Sequence, residues 1–344
     1  MANALDTLDT DKLCSYLEAH IDGFAGPLSA EKFAGGQSNP TFKLTTPGKE
    51  YVLRRKPPGQ LLKSAHAVDR EYTVIKALAD TDVPVARAYH LCEDDDVIGS
   101  MFYIMSYEAG TVHWDPALEE MDKSQRGAIH EEMIRVMAAL HNVDVNAVGL
   151  ADYGKPGNYF ERQNSRWIKQ YRAAETHALE NMETVMAWLP ENIPADDGSI
   201  SLIHGDYRLD NVMFEADGNR ALAVLDWELS TLGHPLADLA YYCMGLRLPR
   251  MGKQKGLTGI DRSAYGIPTE EEVIARYCEL RNIERIDNWN FYLAFSFFRL
   301  ASICQGVYKR ALDGNASNKK ALEMGALVEP LAQMAVALIK GDSK

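Results

Sequence analysis

The sequence predicts an α+β chain, with short strands in the first third and helices over most of the remainder. Short apolar runs broken by Gly, Pro and Asn recur between residues 32 and 105, which is strand texture. From Pro116 onward, apolar residues return at helical spacing. One hairpin interrupts the helical part: Val212–Glu215 and Arg220–Leu225 read as strands around the turn residues Ala216-Asp217-Gly218-Asn219.

Taken in order, Thr10–Ile21 reads as an amphipathic helix carrying Leu13, Tyr16, Leu17 and Ile21. Lys32–Leu44 reads as strand, small-residue loop, strand, with Gly35, Gly36 and Ser38 in the loop. Pro47-Gly48 turns the chain into the strand Tyr51–Arg55. Arg54 points to the working face, whereas Arg55 and Lys56 are expected in solvent. In the helix ending at Leu78, Val68, Tyr72, Ile75 and Leu78 form an apolar face with Glu71 at its border. Val83–Ala86 and Met101–Met105 read as further strands, and Glu93–Asp96 as an acidic turn. Ser106-Tyr107-Glu108-Ala109-Gly110 then breaks the pattern. Helices are expected at Ser124–His141, around Gly157–Arg172, and at Thr269–Leu280, Trp289–Leu312 and Lys319–Lys340. Phe291, Tyr292, Phe295, Phe297 and Phe298 surround most of one helix, which places it in the core.

The hairpin carries the chemistry. His204-Gly205-Asp206 is followed by Asn211 five residues after Asp206, and Asp226 leaves the second strand. A hairpin brings its outer ends together, so Asn211 and Asp226 can face one magnesium ion, which takes oxygen ligands. Asp206, just before the hairpin, can orient an acceptor hydroxyl. Taken singly, each residue is as well read as a turn or cap residue, but their order matches the catalytic loop and metal-binding Asp of kinases. Upstream, the Gly35-Gly36-Ser38 loop can cradle phosphates through its backbone amides, or be an ordinary hairpin loop. Arg54 stands where a kinase carries its phosphate-clamping Lys, with Glu71 as its helix partner. Ser106 and Tyr107 sit where a linker would pair with an adenine edge. Arg162, Arg166 and Lys169 share one helix face that could receive an anionic acceptor or simply be solvated. Glu228 is a further candidate acceptor contact, and Asp238 is expected to bond backbone near the catalytic loop.

The chain has 344 residues, five scattered cysteines and a net charge of −13. The cysteines lack paired spacing, which points to reduced thiols in a cytoplasmic protein rather than a disulfide framework or a zinc site. The acidic balance disfavours nucleic acid as a partner. No membrane span is expected, since the run from Ala326 to Ile339 is interrupted by Glu329, Pro330 and Gln333. The N-terminus has neither a basic nor an apolar signal region.

These residues resemble the aminoglycoside phosphotransferase and choline kinase-like superfamily. The likeness runs through Gly35-Gly36, Arg54, Glu71, Met105–Gly110, His204-Gly205-Asp206, Asn211, Asp226-Trp227-Glu228 and Asp238. Within it, Tyr51–Gly59, Tyr153–Tyr159 and Trp227–Pro235 look like the kinase-like domains associated with acyl-CoA dehydrogenases. The resemblance implies a protein-kinase-like bilobal fold, with a small antiparallel-sheet N-lobe (1–106) and a large, mainly helical C-lobe (107–344). It also implies ATP (or GTP) and Mg2+ as cofactors, and phosphotransfer to a small-molecule hydroxyl. That hydroxyl belongs either to a hydroxyacyl group or its CoA thioester, or to an aminoglycoside or other small alcohol. A non-catalytic nucleotide-binding module that regulates an acyl-CoA dehydrogenase is the rival from another class. The sequence departs from protein kinases in His-Gly-Asp for His-Arg-Asp, Asp-Trp-Glu for Asp-Phe-Gly, and Arg54 for Lys. Only a short loop follows Asp226, which favours a small acceptor over a protein.

Overall fold

The computed structural model describes residues 8–33, 39–57, 67–250, 255–315 and 319–341. In chain order the first elements are α1 (Thr10–His20), β1 (Ser29–Lys32), β2 (Thr41–Thr45), β3 (Glu50–Arg55) and α2 (Val68–Leu78). β4 (Ala88–Cys92), α3 (Asp95–Ile98), β5 (Phe102–Ser106) and β6 (Gly110–Val112) follow. Next come α4 (Lys123–His141), α5 (Tyr159–Ala174), α6 (Glu180–Glu191), β7 (Ser201–Ile203), β8 (Val212–Glu215) and β9 (Ala221–Val224). The chain ends with β10 (Thr231–Gly233), α7 (Leu236–Arg247), α8 (Arg262–Tyr265), α9 (Glu270–Arg281), α10 (Trp289–Leu312) and α11 (Gly325–Lys340).

Two compact units result. One takes the chain up to His113 together with Val143–Ala151 and Leu209–Ser230. Its antiparallel sheet has the order β1-β2-β3-β5-β4. The two-residue period of β3 sends Tyr51, Leu53 and Arg55 to one face and Val52 and Arg54 to the other. The first face packs Leu44, Leu53, Phe102 and Ile104 with Leu13 and Leu17 of α1. Arg55 therefore departs from the solvent placement expected of it. It is only 2% exposed, its guanidinium lies 5.4 Å from the centre of the Phe42 ring, and Nη1 donates to the Ile98 carbonyl at 3.3 Å. A strict alternation buries the residue after Arg54 as surely as the one before it. Val83–Ala86 is not a strand either. The sheet strand begins at Ala88, and the Pro84 carbonyl instead accepts from the Val224 amide at 2.8 Å. Pro84 has no N–H to give a ladder. A second sheet in this unit runs β6-β8-β9.

The other unit takes Trp114–Asn142, Asp152–Arg208 and Thr231–Lys344. As the aromatic pattern requires, α10 is its core helix, with Phe291, Phe295, Phe297 and Phe298 all buried, and it packs on α11, α7 and α5. The stretch expected as one helix from Lys319 divides into a 3-10 turn, Lys319–Met324, and α11. Gly325 at the junction lies against Tyr308, where a Cβ would meet the ring at 2.8 Å, so only glycine fits the approach. By length and composition, Ala321–Lys340 is apolar enough to cross a membrane, with mean hydropathy 1.5. Here its buried residues Val328, Leu331, Ala332, Ala335, Val336 and Leu338 belong to a helix packed on α10 and α6.

His130 of α4 is fully enclosed, its ring nitrogens 2.9 Å from Tyr242 Oη and from the Pro116 carbonyl. Burial pushes its pKa down from 6.5 to about 4. The unfolded chain therefore binds a proton that the native state refuses between those values, so stability falls as pH drops through that window. A shift of this size is worth about 3 kcal/mol by pH 4. His130→Gln should flatten urea-denaturation midpoints between pH 6.5 and 4. An unchanged slope would place the acid sensitivity elsewhere.

Candidate active site

β3 and α2 build a clamp within the first unit. Arg54 Nε stands 2.7 Å from Glu71 Oε2, outside hydrogen-bonding alignment, and Nη2 donates to Asp226 Oδ1 at 2.8 Å. Glu71 is 1% exposed. It lies on the buried side of α2 because it follows Val68 by three residues and precedes Ile75 by four. Asn39 Nδ2 donates to its Oε1 at 2.8 Å, and the Tyr103 hydroxyl to its Oε2 at 3.1 Å. Burial pushes Glu71 above the ordinary carboxylate range, against the pull of Arg54 and these two donors. Burial likewise opposes the Arg54 charge, but Glu71, Tyr103 and Asp226 more than restore it, so the guanidinium stays protonated. The pair is thus a fixed cation with a buried counter-ion.

The β8–β9 hairpin sets Asn211 beside Asp226. Val212 pairs with Val224, and the Asn211 carbonyl accepts from the Leu225 amide at 2.8 Å. Asp226 has φ +62° and ψ +59°, a left-handed conformation that a non-glycine residue holds only where its surroundings force it. They do so here: Trp227 Nε1 donates to the Val224 carbonyl at 3.0 Å, and Ser230 Oγ to the Trp227 carbonyl at 2.6 Å. The Asp226 side chain remains 37% exposed. Arg54 engages Oδ1, while Oδ2 has no hydrogen-bond or ion-pair partner among the described residues. Glu228 is half-buried on the 3-10 turn that follows.

The loop His204–Arg208, the candidate catalytic loop, belongs to the second unit. Asp238, 0% exposed, accepts the His204 amide on Oδ2 at 2.6 Å and the Gly205 amide on Oδ1 at 2.8 Å, the role expected of it. Although burial works against its charge, hydrogen bonding to His141 and the His204 amide holds it below the usual carboxylate range. Gly205 has φ +82°, which the loop needs in order to turn both amides onto one carboxylate. Its carbonyl accepts from Arg299 Nη2 at 2.5 Å. The Asp206 amide donates to His204 Nδ1 at 3.2 Å. Burial and then the neighbouring Asp206 carboxylate push the Tyr241 hydroxyl well up, so that phenol stays protonated beside Asp206.

Residues 29–266 match the model of the phosphotransferase enzyme family. The chain belongs to that family. It is 46% identical over 327 residues to mouse acyl-CoA dehydrogenase family member 10, covering 94% of this chain and 30% of that protein. It is 40% identical over 341 residues to human acyl-CoA dehydrogenase family member 11, covering 96% and 43% respectively. This chain thus spans less than half the length of these curated relatives. A Ralstonia eutropha structure assigned as an aminoglycoside phosphotransferase is 50% identical, with TM-score 0.91 over 97% of this chain and 99% of that one. An aminoglycoside phosphotransferase in ternary complex with ADP and hygromycin B, 14% identical, shares the kinase-like fold at TM-score 0.61 over 94% of this chain and 97% of that one.

The remaining residues predicted from the sequence fall as follows. Gly35, Gly36 and Ser38 lie outside the described residues. Ser106 ends β5, exchanging backbone and side-chain bonds with Arg87, and Tyr107 lies under Lys43 Nζ, 4.2 Å from the ring centre. On α5, Arg162 turns back to the Lys155 and Pro156 carbonyls at 2.6 and 3.4 Å, whereas Arg166 and Lys169 are exposed. Sequence reasoning passed over Asn39, Tyr103, His141 and Arg299. Arg299 left a signal, being one cation between Phe298 and Leu300 in an otherwise apolar run. The partners of the other three come from distant positions that no local pattern reveals.

Proposed function

We propose that this phosphotransferase transfers the γ-phosphate of ATP, with magnesium, to a hydroxyl on a small acyl-type molecule, a hydroxyacyl group or its CoA thioester. The Arg54 bridge from Glu71 to Asp226 carries this reading. It places a permanent cation beside a carboxylate that keeps one oxygen unclaimed among the described residues. A carboxylate plus the Asn211 amide oxygen fits magnesium, which takes one or two such groups and fills its shell with phosphate oxygens and water. When bound, the ion neutralises charge on the β and γ phosphates. Asn211 and Asp226 are the residues that would hold it, and Arg54 would grip phosphate oxygens bidentately. Asp206 would orient the acceptor hydroxyl and take its proton. The acyl preference rests on the likeness to proteins named as acyl-CoA dehydrogenases, and a functional link to such a dehydrogenase belongs to the same proposal.

ATP turnover across a panel of hydroxy acids, their CoA thioesters, an aminoglycoside and choline tests it. Phosphorylation of a hydroxyacyl thioester that requires Mg2+ and disappears in Asp206→Ala is expected. Preferential turnover of the aminoglycoside would replace the acyl reading. Mg-dependent ATP binding without transfer to any acceptor would favour a regulatory nucleotide-binding module.

A further inference from the structure

The main chain on both sides of Asp206 is pinned. Asp238 holds the His204 and Gly205 amides, Arg299 Nη2 donates to the Gly205 carbonyl, and the Asp206 amide donates to His204 Nδ1. On the other side, Tyr207 is 0% exposed and its hydroxyl donates to the Met133 carbonyl at 2.8 Å. With the backbone fixed, the aim of the Asp206 carboxylate depends on rotation about its side-chain bonds.

α7 meets this loop with two successive turns. Asp238 and Tyr241 are three residues apart on it and so share a face. Asp238 serves residues 204 and 205, and the next turn brings the Tyr241 hydroxyl into a hydrogen bond with the Asp206 carboxylate. Tyr241 is 3% exposed, and burial keeps its phenol protonated, so the hydroxyl donates and the carboxylate accepts. An ionised carboxylate has about four lone-pair sites, so one donor can fix its rotation and leave it able to take a proton. The Tyr207 hydroxyl bonds a backbone carbonyl, and packing alone asks no more of a buried phenol. The Tyr241 ring has its own support. The Arg299 guanidinium, on a residue 8% exposed, lies 4.9 Å from the ring centre of Tyr241 and 5.7 Å from that of Trp167. One side chain thus contacts both the Tyr241 ring and the main chain that carries Asp206.

We propose that Tyr241 is a positioning residue for phosphoryl transfer. Its hydroxyl sets the rotation of the Asp206 carboxylate towards the acceptor hydroxyl, and Arg299 braces the ring against the Gly205 carbonyl. The inference rests on the reading of Asp206 as the group that takes the acceptor's proton, and adds the residue that aims it.

Tyr241→Phe removes the hydroxyl and keeps the ring, so the Arg299 contact survives. Single-turnover transfer from MgATP to 3-hydroxybutyryl-CoA, and to water in its absence, reads the chemical step. A fall of about 10- to 100-fold is expected, the loss of one hydrogen bond to a charged group converted to a rate. ADP affinity should be unchanged. The same substitution made on Asp206→Asn should alter the rate by less than about twofold, because no base is left to aim. A purely structural role would slow both backgrounds alike, and that result overturns the inference. So does a Tyr241→Phe rate within about threefold of wild type. Arg299→Lys keeps a donor for the Gly205 carbonyl but loses the planar face against the ring, so its rate should fall between wild type and Tyr241→Phe. A wild-type rate in Arg299→Lys would remove the brace. Full activity in Asp206→Asn would sink this inference together with the role proposed for Asp206. A slow Asp206→Asn beside a fast Tyr241→Phe would sink this inference alone.

Discussion

Asp206→Asn is expected to reduce phosphoryl transfer by about 10²–10⁴-fold, the usual contribution of a positioned general base, with nucleotide affinity unchanged. The substitution keeps the side chain's size. The contacts that shape the loop are made by other groups: the Asp238 carboxylate on the His204 and Gly205 amides, Arg299 on the Gly205 carbonyl, and the Asp206 amide on His204. The Asp206 carboxylate itself bonds the Tyr241 hydroxyl, whose hydrogen bond the amide oxygen of Asn can still accept, so the melting temperature should stay close to wild type. Tyr241 would then face a neutral amide in place of a carboxylate. Single-turnover kinetics with saturating ATP isolate the chemical step, and calorimetry with ADP reports binding. A fall of less than about threefold would remove Asp206 from proton transfer, since an inert residue is all that such a change describes. A parallel loss of ADP affinity would mean that the carboxylate serves the nucleotide instead.

What could be read from the sequence was governed by range. The β8–β9 hairpin was legible because its turn residues and flanking apolar runs are contiguous, and its register does set Asn211 beside Leu225 and Asp226. The Arg54–Glu71 pairing was legible because a strand cation and a helix carboxylate at that spacing form a known arrangement. The burial of Arg55 was not. Its charge suggested solvent, while the strand period placed it on the core face, and the period prevailed because Phe42 and the Ile98 carbonyl accommodate the guanidinium. Val83–Ala86 looked like a strand from β-branched composition alone, a weak signal next to a proline. Asn39, His141 and Arg299 act on residues 32, 97 and 94 positions away, and such distances leave no periodicity to detect. Asn164 was invisible for the opposite reason. Its buried amide has no hydrogen-bond partner among the described residues, so no partner spacing could have pointed to it.

Removing Glu71 should have the largest effect on stability. Glu71→Ala leaves the Arg54 side chain, 13% exposed, with Asp226 as its remaining close carboxylate, and takes an acceptor from both Asn39 and Tyr103. Breaking a buried pair from one side typically costs about 3–5 kcal/mol, because the surviving charge keeps its desolvation penalty. Arg54 would then be drawn more fully onto Asp226, so Mg2+-dependent nucleotide binding should weaken beyond what the fold's loss explains. The double variant Arg54→Met with Glu71→Leu separates the two effects. It replaces the pair by apolar groups, which is often neutral or stabilising, so stability should return towards wild type while nucleotide binding does not. Urea denaturation of the single and double variants, alongside titration with ADP and Mg2+, gives both readouts. A Glu71→Ala cost below about 1 kcal/mol would match an exposed ion pair and contradict the burial of this one. Recovery of nucleotide affinity in the double variant would show that the cation at position 54 is not what grips the phosphates.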